Sequence, residues 1–184
     1  MNRLYLIRHG KTEANLKHLY CGSTDLPLSG QGIAELKQLH YAVPEGAAYL
    51  TSGMRRTEET LHILFGQVSH EVDPRFREVD FGAFEMKSYE MLKDTPAYQA
   101  WLTGDNERNV PPGGESGQQM QQRVRQGLQD LLAREEDVVL VTHGGVIAFL
   151  MEALFPQEQR NRYQWQPEPG HGYAVSTERY REIP

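Results

Sequence analysis

The chain alternates between short apolar runs and longer segments whose apolar residues recur every three or four positions. "RLYLIR" (3–8) is a compact β-rich run. In "PLSGQGIAELKQLH", Ile33, Leu36 and Leu39 share one helical face, and Ser29 stands where an N-cap belongs. "AAYLTS" (47–52) predicts a second strand. "RRTEETLHILF" (55–65) predicts a second helix, polar at its start and apolar at its end. "HEVDPRFREVDFG" (70–82) gives a short third strand that runs into a loop. "ESGQQMQQRVRQGLQDLLAREE" is a long amphipathic helix with Met120, Val124, Leu128, Leu131 and Leu132 on one stripe. "DVVLVTHGG" (137–145) is a strand whose unbroken Val/Leu run suits the centre of a parallel sheet. "VIAFLMEALF" (146–155) is apolar all round and predicts a well-buried helix, and "GYAVSTERYREI" (172–183) a terminal strand or hairpin. Strands alternating with helices predict an α/β sandwich with a mostly parallel sheet.

Residues 84–114 depart from this pattern. They read as two short helical pieces followed by a Pro/Gly loop, and they are rich in large apolar and aromatic residues. That composition predicts a cap packed on the body. The expected organisation is one domain over 1–184 with a cap insertion at about 84–114.

Composition narrows the function classes. A formal net charge of −6 among 184 residues argues against a protein that coats nucleic acid or an anionic membrane. It leaves room for a small positive pocket. Cys21 is the one cysteine, so no intrachain disulfide forms. No apolar run reaches the ~18–20 residues of a membrane span, and the first residues show no signal-peptide pattern. The expected location is cytoplasmic.

The unusual residues fall at strand ends, where sites form in open α/β sheets. The first strand ends in Arg8-His9-Gly10. The second ends in Thr51-Ser52, with Arg55 and Arg56 just after. The third leads to Arg77 and Glu78, and the strand at 138–142 ends in Thr142-His143-Gly144-Gly145. Guanidinium forks match phosphate oxygens. Glycines after each histidine allow close backbone approach, and helix N-termini add positive dipole ends. The pattern predicts a pocket for a phosphoryl group.

These motifs resemble the histidine phosphatase superfamily, the phosphoglycerate mutase-like or "RHG" family, over nearly the whole chain. "LIRHGKTEAN" and "YCGSTDLPLSGQG" look like its opening segments. "TSGMRRTEET" resembles a Ser-x-Leu-x-Arg-Ala-x-x-Thr motif and aligns Arg56, not Arg55, with the family arginine. "FREVDFGAFE" aligns Glu78 with the family carboxylate, although Asp80 and Glu85 lie close by. "PPGGES" and "VTHGG" match as well. The resemblance implies a three-layer α/β/α sandwich with a mostly parallel sheet and a small helical cap.

The resemblance also implies roles. His9 is the nucleophile that becomes a phosphohistidine, with its second nitrogen held by an acceptor. Arg8, Arg56 and His143 surround the non-bridging oxygens. Asn15 and the Gly144 N–H add hydrogen bonds, and Cys21 and Gly22 are substrate-binding positions. Glu78 protonates the leaving alkoxide and then activates water. No metal or cofactor is expected, because arginines supply the positive charge. The expected partner is a small phosphorylated metabolite, not nucleic acid or membrane, and the chain is expected to be a monomer or homodimer.

Leu19 stands where mutases of the family carry an arginine, so phosphatase is favoured over phosphoglycerate mutase. Phe84 replaces a common tryptophan and Met86 a common glycine. "FGAFEMKSYEML" and "YCGSTDLPLS" look most like bacterial α-ribazole phosphatases of cobalamin biosynthesis. The cap aromatics Tyr20, Phe84, Tyr89, Tyr98 and Trp101, with Met86, either line a site for an apolar base or only pack the cap. The alternatives are a broad-specificity or phosphosugar phosphatase, then a phosphoglycerate mutase or phosphoprotein phosphatase, and last a non-catalytic phosphate binder.

Overall fold

The computed structural model describes residues 2–105 and 107–184; Met1 and Asn106, which fall within the expected domain and cap, lie outside them. Six strands form one sheet among the described residues: β1 (Leu4–Arg8), β2 (Ala48–Thr51), β3 (Glu71–Val72), β4 (Val138–Thr142), β5 (Gly172–Val175) and β6 (Tyr180–Ile183). Their order is β3-β2-β4-β1-β5-β6. The β3–β2, β2–β4 and β4–β1 pairs are parallel, and β5 and β6 add an antiparallel hairpin at one edge. The expected mostly parallel sheet is present, with its third strand cut to two residues.

Strand alternation divides the core into two layers. Leu4, Leu6, Val138 and Leu140 pack on one face with Val124 and Leu128 of α6 (Gly117–Leu132) and with α7 (Gly144–Leu154). Tyr5, Ile7, Val139 and Val141 pack on the other with Leu61 of α3 (Arg55–Phe65). All five residues of β4 are buried, as its solid apolar run predicts for a central strand. Most of α7 is buried too, in keeping with its lack of a polar face.

Two four-residue helices, α1 (Glu13–Leu16) and α8 (Arg162–Trp165), flank the strand ends, and α2 (Gly30–Leu36) starts at the Ser29 N-cap. The segment expected as a cap carries α4 (Tyr89–Leu92) and α5 (Pro96–Leu102). It has a core of its own in Phe84, Leu92 and Tyr98, against which Tyr20, Phe81 and Trp101 pack. Met86 adopts φ +60°, the left-handed conformation that suits the glycine it replaces. Among the described residues no helix is long and apolar enough to cross a membrane.

Candidate active site

Strand register brings the two histidines together. In the parallel β1–β4 pair Arg8 lies opposite Thr142, so the next residues, His9 and His143, leave the sheet side by side. The His9 N–H donates to Thr142 O at 2.9 Å, and the two rings meet edge to face with centroids 5.2 Å apart. On the other side of β4, Thr51 lies opposite Val141, which brings Ser52 to the level of Thr142, one residue before His143. Ser52 Oγ and His143 Nε2 are 2.8 Å apart.

His9 is buried, and its Nδ1 lies 2.7 Å from the carbonyl oxygen of Gly10. A carbonyl only accepts, so Nδ1 carries the proton and Nε2 keeps its lone pair. Burial, then Arg56 and Arg8, hold this imidazole well below the usual histidine range. The ring is therefore neutral, with one bare nitrogen. His143 is held low in the same way by burial, Arg56 and His9.

The two arginines are fixed by main-chain oxygens. Arg56, 1 % exposed, donates to Thr24 O at 2.9 Å and Gly22 O at 2.8 Å. Arg8 donates to Pro167 O at 2.7 Å. The turn that holds Arg56 is itself held by Glu85, whose carboxylate accepts from Gly22 N (2.9 Å), Ser23 N (2.8 Å) and Thr24 Oγ1 (2.7 Å). The turn presses so close to the next segment that a Cβ on Gly22 would fall 1.7 Å from Val79 O.

Glu78 accepts from Val79 N at 3.0 Å and from Gly145 N at 2.9 Å. Arg123 of α6 braces its segment by donating to Arg75 O, Arg77 O and Glu78 O, and it pairs with Glu115 at 2.8 Å. The three neighbouring carboxylates thus part company. Asp80 accepts from Ser23 Oγ and Gly82 N, Glu85 ties the turn, and Glu78 is the one that borders the pocket.

A cavity of about 240 Å³ is lined by Arg8, His9, Asn15, Cys21, Arg56, Glu78 and Gly144, among others. Asn15 Oδ1 is taken by Thr12 N, which leaves its amide NH₂ as the donor it offers. Burial pushes the Cys21 thiol up, which keeps it a poor nucleophile. Gly22 acts on this pocket through its carbonyl on Arg56. Tyr20, Glu78, Phe81 and Gln166 are shared with a second cavity of about 610 Å³.

That larger cavity is lined by Tyr20, Phe81, Trp101 and Tyr163 on its aromatic side. Phe84 and Tyr98, 2 % and 1 % exposed, pack the cap and do not line it. Glu107, Glu115 and Glu152 border it, with Arg162 paired to Glu107 at 2.7 Å. Arg55 is an exposed partner of Glu59, Arg77 braces Ser52 O, and Ser116 caps α6. Sequence reasoning placed Ser52 at a strand end and both Ser52 and Thr60 in a motif without giving either a role, and it passed over Arg123, Arg162 and Gln166. Ser52 and Thr60 are the two ends of the motif that carries Arg56, and Thr60 Oγ1 holds Gly10 N at 3.0 Å.

The arrangement offers a bare imidazole nitrogen, two guanidinium groups and a carboxylate around one small cavity, which is the equipment for transferring a phosphoryl group. Comparison with known proteins agrees. An adenosylcobalamin/alpha-ribazole phosphatase of Salmonella typhimurium is 31% identical over 181 residues, covering 94% of this chain and 89% of its own. A crystal structure of an Escherichia coli protein, described as an alpha-ribazole-5'-P phosphatase, superposes with a TM-score of 0.82 at 28% identity, over 98% of this chain and 94% of that one. A phosphoglycerate mutase of Thermus thermophilus does so with a TM-score of 0.77 at 32% identity, over 98% of both chains. The model of the histidine phosphatase superfamily (branch 1) matches residues 4–182. The chain belongs to the histidine phosphatase superfamily, branch 1, and is a phosphatase.

Proposed function

We propose that this phosphatase hydrolyses a small phosphomonoester through a phosphohistidine at His9, and that its substrate is of the α-ribazole 5'-phosphate type. The observation that carries the mechanism is the Gly10 carbonyl at 2.7 Å from His9 Nδ1, which leaves Nε2 free to attack phosphorus. Arg8, Arg56 and His143 stabilise the charge on the non-bridging oxygens, aided by Asn15 and the Gly144 N–H. Glu78 gives its proton to the departing oxygen and then takes one from the water that frees His9. Residues 1–184 act as one domain, with the cap at about 84–114 closing over the leaving group.

The substrate class is supported by the cavity of about 610 Å³ that opens beside Glu78. Its rings offer stacking surface to an aromatic base. Glu107 and Glu115 are paired with Arg162 and Arg123, and Glu152 adds a further carboxylate to the rim, so among the described residues no lining cation is left over to hold a second anionic group. That disfavours phosphoglycerate, as Leu19 in place of an arginine also does. A phosphosugar or broad-specificity phosphatase is the second reading, since the same cavity accepts uncharged polar leaving groups.

The test is turnover of p-nitrophenyl phosphate in EDTA by wild type and His9→Ala, followed by a panel of α-ribazole phosphate, sugar phosphates, 3-phosphoglycerate and phosphopeptides. Metal-independent activity that vanishes in the variant is expected, with α-ribazole phosphate the best substrate. Activity that survives loss of His9, or label trapped on another residue, sinks the mechanism. Preference for 3-phosphoglycerate sinks the substrate assignment.

A further inference from the structure

His143 has two ring nitrogens with different surroundings. Nε2 is 2.8 Å from Ser52 Oγ, while Nδ1 is buried with no hydrogen-bond partner in the protein. The ring lies edge to face against His9, and with Nε2 engaged only Nδ1 is left to meet a phosphoryl oxygen on His9. A neutral imidazole helps there as a donor and opposes binding as a bare lone pair. Which nitrogen carries the proton therefore matters to the reaction.

The hydrogen bonds around Ser52 decide it. Its hydroxyl is fully buried and receives the Met54 N–H at 3.3 Å. The neighbouring hydroxyl of Thr57, 3.2 Å away, gives its own proton to Met54 O at 2.7 Å. Two arrangements remain for the Ser52 proton. It goes to His143 Nε2 across 2.8 Å, or to Thr57 Oγ1 across 3.2 Å while Nε2–H points back at Ser52. The first uses the shorter bond and leaves a proton on Nδ1. The second leaves an unpaired lone pair facing the anion. Distance and substrate charge favour the same choice.

We infer that Ser52 is a positioning residue that donates to His143 Nε2, locks the Nδ1–H tautomer and so aims an N–H at the transferring phosphoryl group. This rests on the reading of His9 as the phosphate acceptor. Ser52 touches no reacting atom; it acts through His143. Strand register prepares the arrangement: β2 ends beside β4 with Ser52 level with Thr142, one residue before His143, and the serine hydroxyl lies 2.8 Å from the imidazole.

The experiment is ¹⁵N NMR of histidine-labelled protein at pH 7.5 with and without inorganic phosphate, the His143 signals being assigned by their loss in His143→Gln. Wild type is expected to show protonated Nδ1 and bare Nε2. Ser52→Ala should move the proton to Nε2 or mix the tautomers, and lower kcat on p-nitrophenyl phosphate by up to about 10²- to 10³-fold, the cost of one lost donor to the transferring group. Ser52→Thr, which keeps the hydroxyl, should restore the tautomer and most of the rate. Protonated Nε2 in wild type, or a Ser52→Ala enzyme with Nδ1–H and unchanged kcat, overturns the inference. If Ser52→Ala does not fold, the wild-type spectrum and Ser52→Thr decide. Failure to trap phosphorus on His9 of wild type sinks the underlying mechanism instead, whatever the tautomer of His143.

Discussion

Replacing Gly145 by alanine would put a methyl carbon 2.5 Å from Glu78 Oε1 and 3.1 Å from its Cδ and Oε2. Nonbonded heavy atoms prefer about 3.5–4.0 Å, so the carboxylate must retreat by roughly 1 Å. It thereby also strains or loses the 2.9 Å bond from Gly145 N. Displacing a positioned proton donor costs about 10²–10⁴ in rate, or about 2.7–5.4 kcal/mol of barrier. Gly145 is the second residue of α7 and has no positive φ, so alanine there is conformationally easy. Helix stability should rise by about 0.5–1 kcal/mol. The expected outcome is a stable, crippled enzyme. The assay compares kcat on an alkyl phosphate, whose leaving oxygen needs a proton, with p-nitrophenyl phosphate, whose leaving group needs one far less. The alkyl phosphate should suffer more. A variant within threefold of wild type on the alkyl phosphate, with a melting temperature no lower than wild type, would refute the assignment of Glu78 as proton donor.

Other substitutions probe the supports. His9 and His143 are both held neutral by burial and by Arg56. The unfolded chain takes up protons near pH 6.5 where the folded chain does not, so their contribution is complete above that pH and is lost as pH falls below it. Stability should therefore fall as pH drops from 7.5 to 5.5, by at most about 1.4 kcal/mol for each histidine. Urea unfolding checks this, and the drop should shrink by about half in His9→Asn. Glu85→Gln turns an amide NH₂ toward the donors of Gly22, Ser23 and Thr24; a loss of about 1–3 kcal/mol is expected, with weaker phosphate binding as Arg56 loosens. Met86→Gly relieves a left-handed backbone and should raise stability by about 1 kcal/mol, read from the thermal midpoint. Trp101→Ala should raise KM for an aromatic leaving group and leave that for a small alkyl phosphate nearly unchanged.

The elements that were easiest to read in the sequence are those whose pattern matches a two-sided or one-sided burial. β1, β4, α3, α6 and α7 are of this kind, and their ends alone place Arg8, His9, Arg56 and His143 at one rim of the sheet. The short pieces α1 and α8 escaped because four residues make barely one turn and show no periodicity. β3 shrank to Glu71–Val72 because its pairing rests on two residues of β2 at the sheet edge. The choice among Glu78, Asp80 and Glu85 is not local at all. It is made by Arg123 and Gly145, which lie 45 and 67 positions further along the chain. The cap aromatics show a similar divide: Phe84 and Tyr98 pack, whereas Tyr20, Phe81 and Trp101 pack on one side and line the cavity on the other. Composition gives the rings but not their orientation.

The way the two guanidinium groups are tethered has a consequence for what the empty enzyme attracts. Arg56 is fastened by Gly22 O and Thr24 O and Arg8 by Pro167 O, and among the described residues neither has a carboxylate within ion-pair distance. Neutral anchors fix position without spending charge. In an acidic molecule this leaves a small electropositive trap, open to any tetrahedral oxyanion that fits. Orthovanadate and sulfate should compete with substrate, and the released phosphate should linger as an inhibitor whose grip slackens as ionic strength rises.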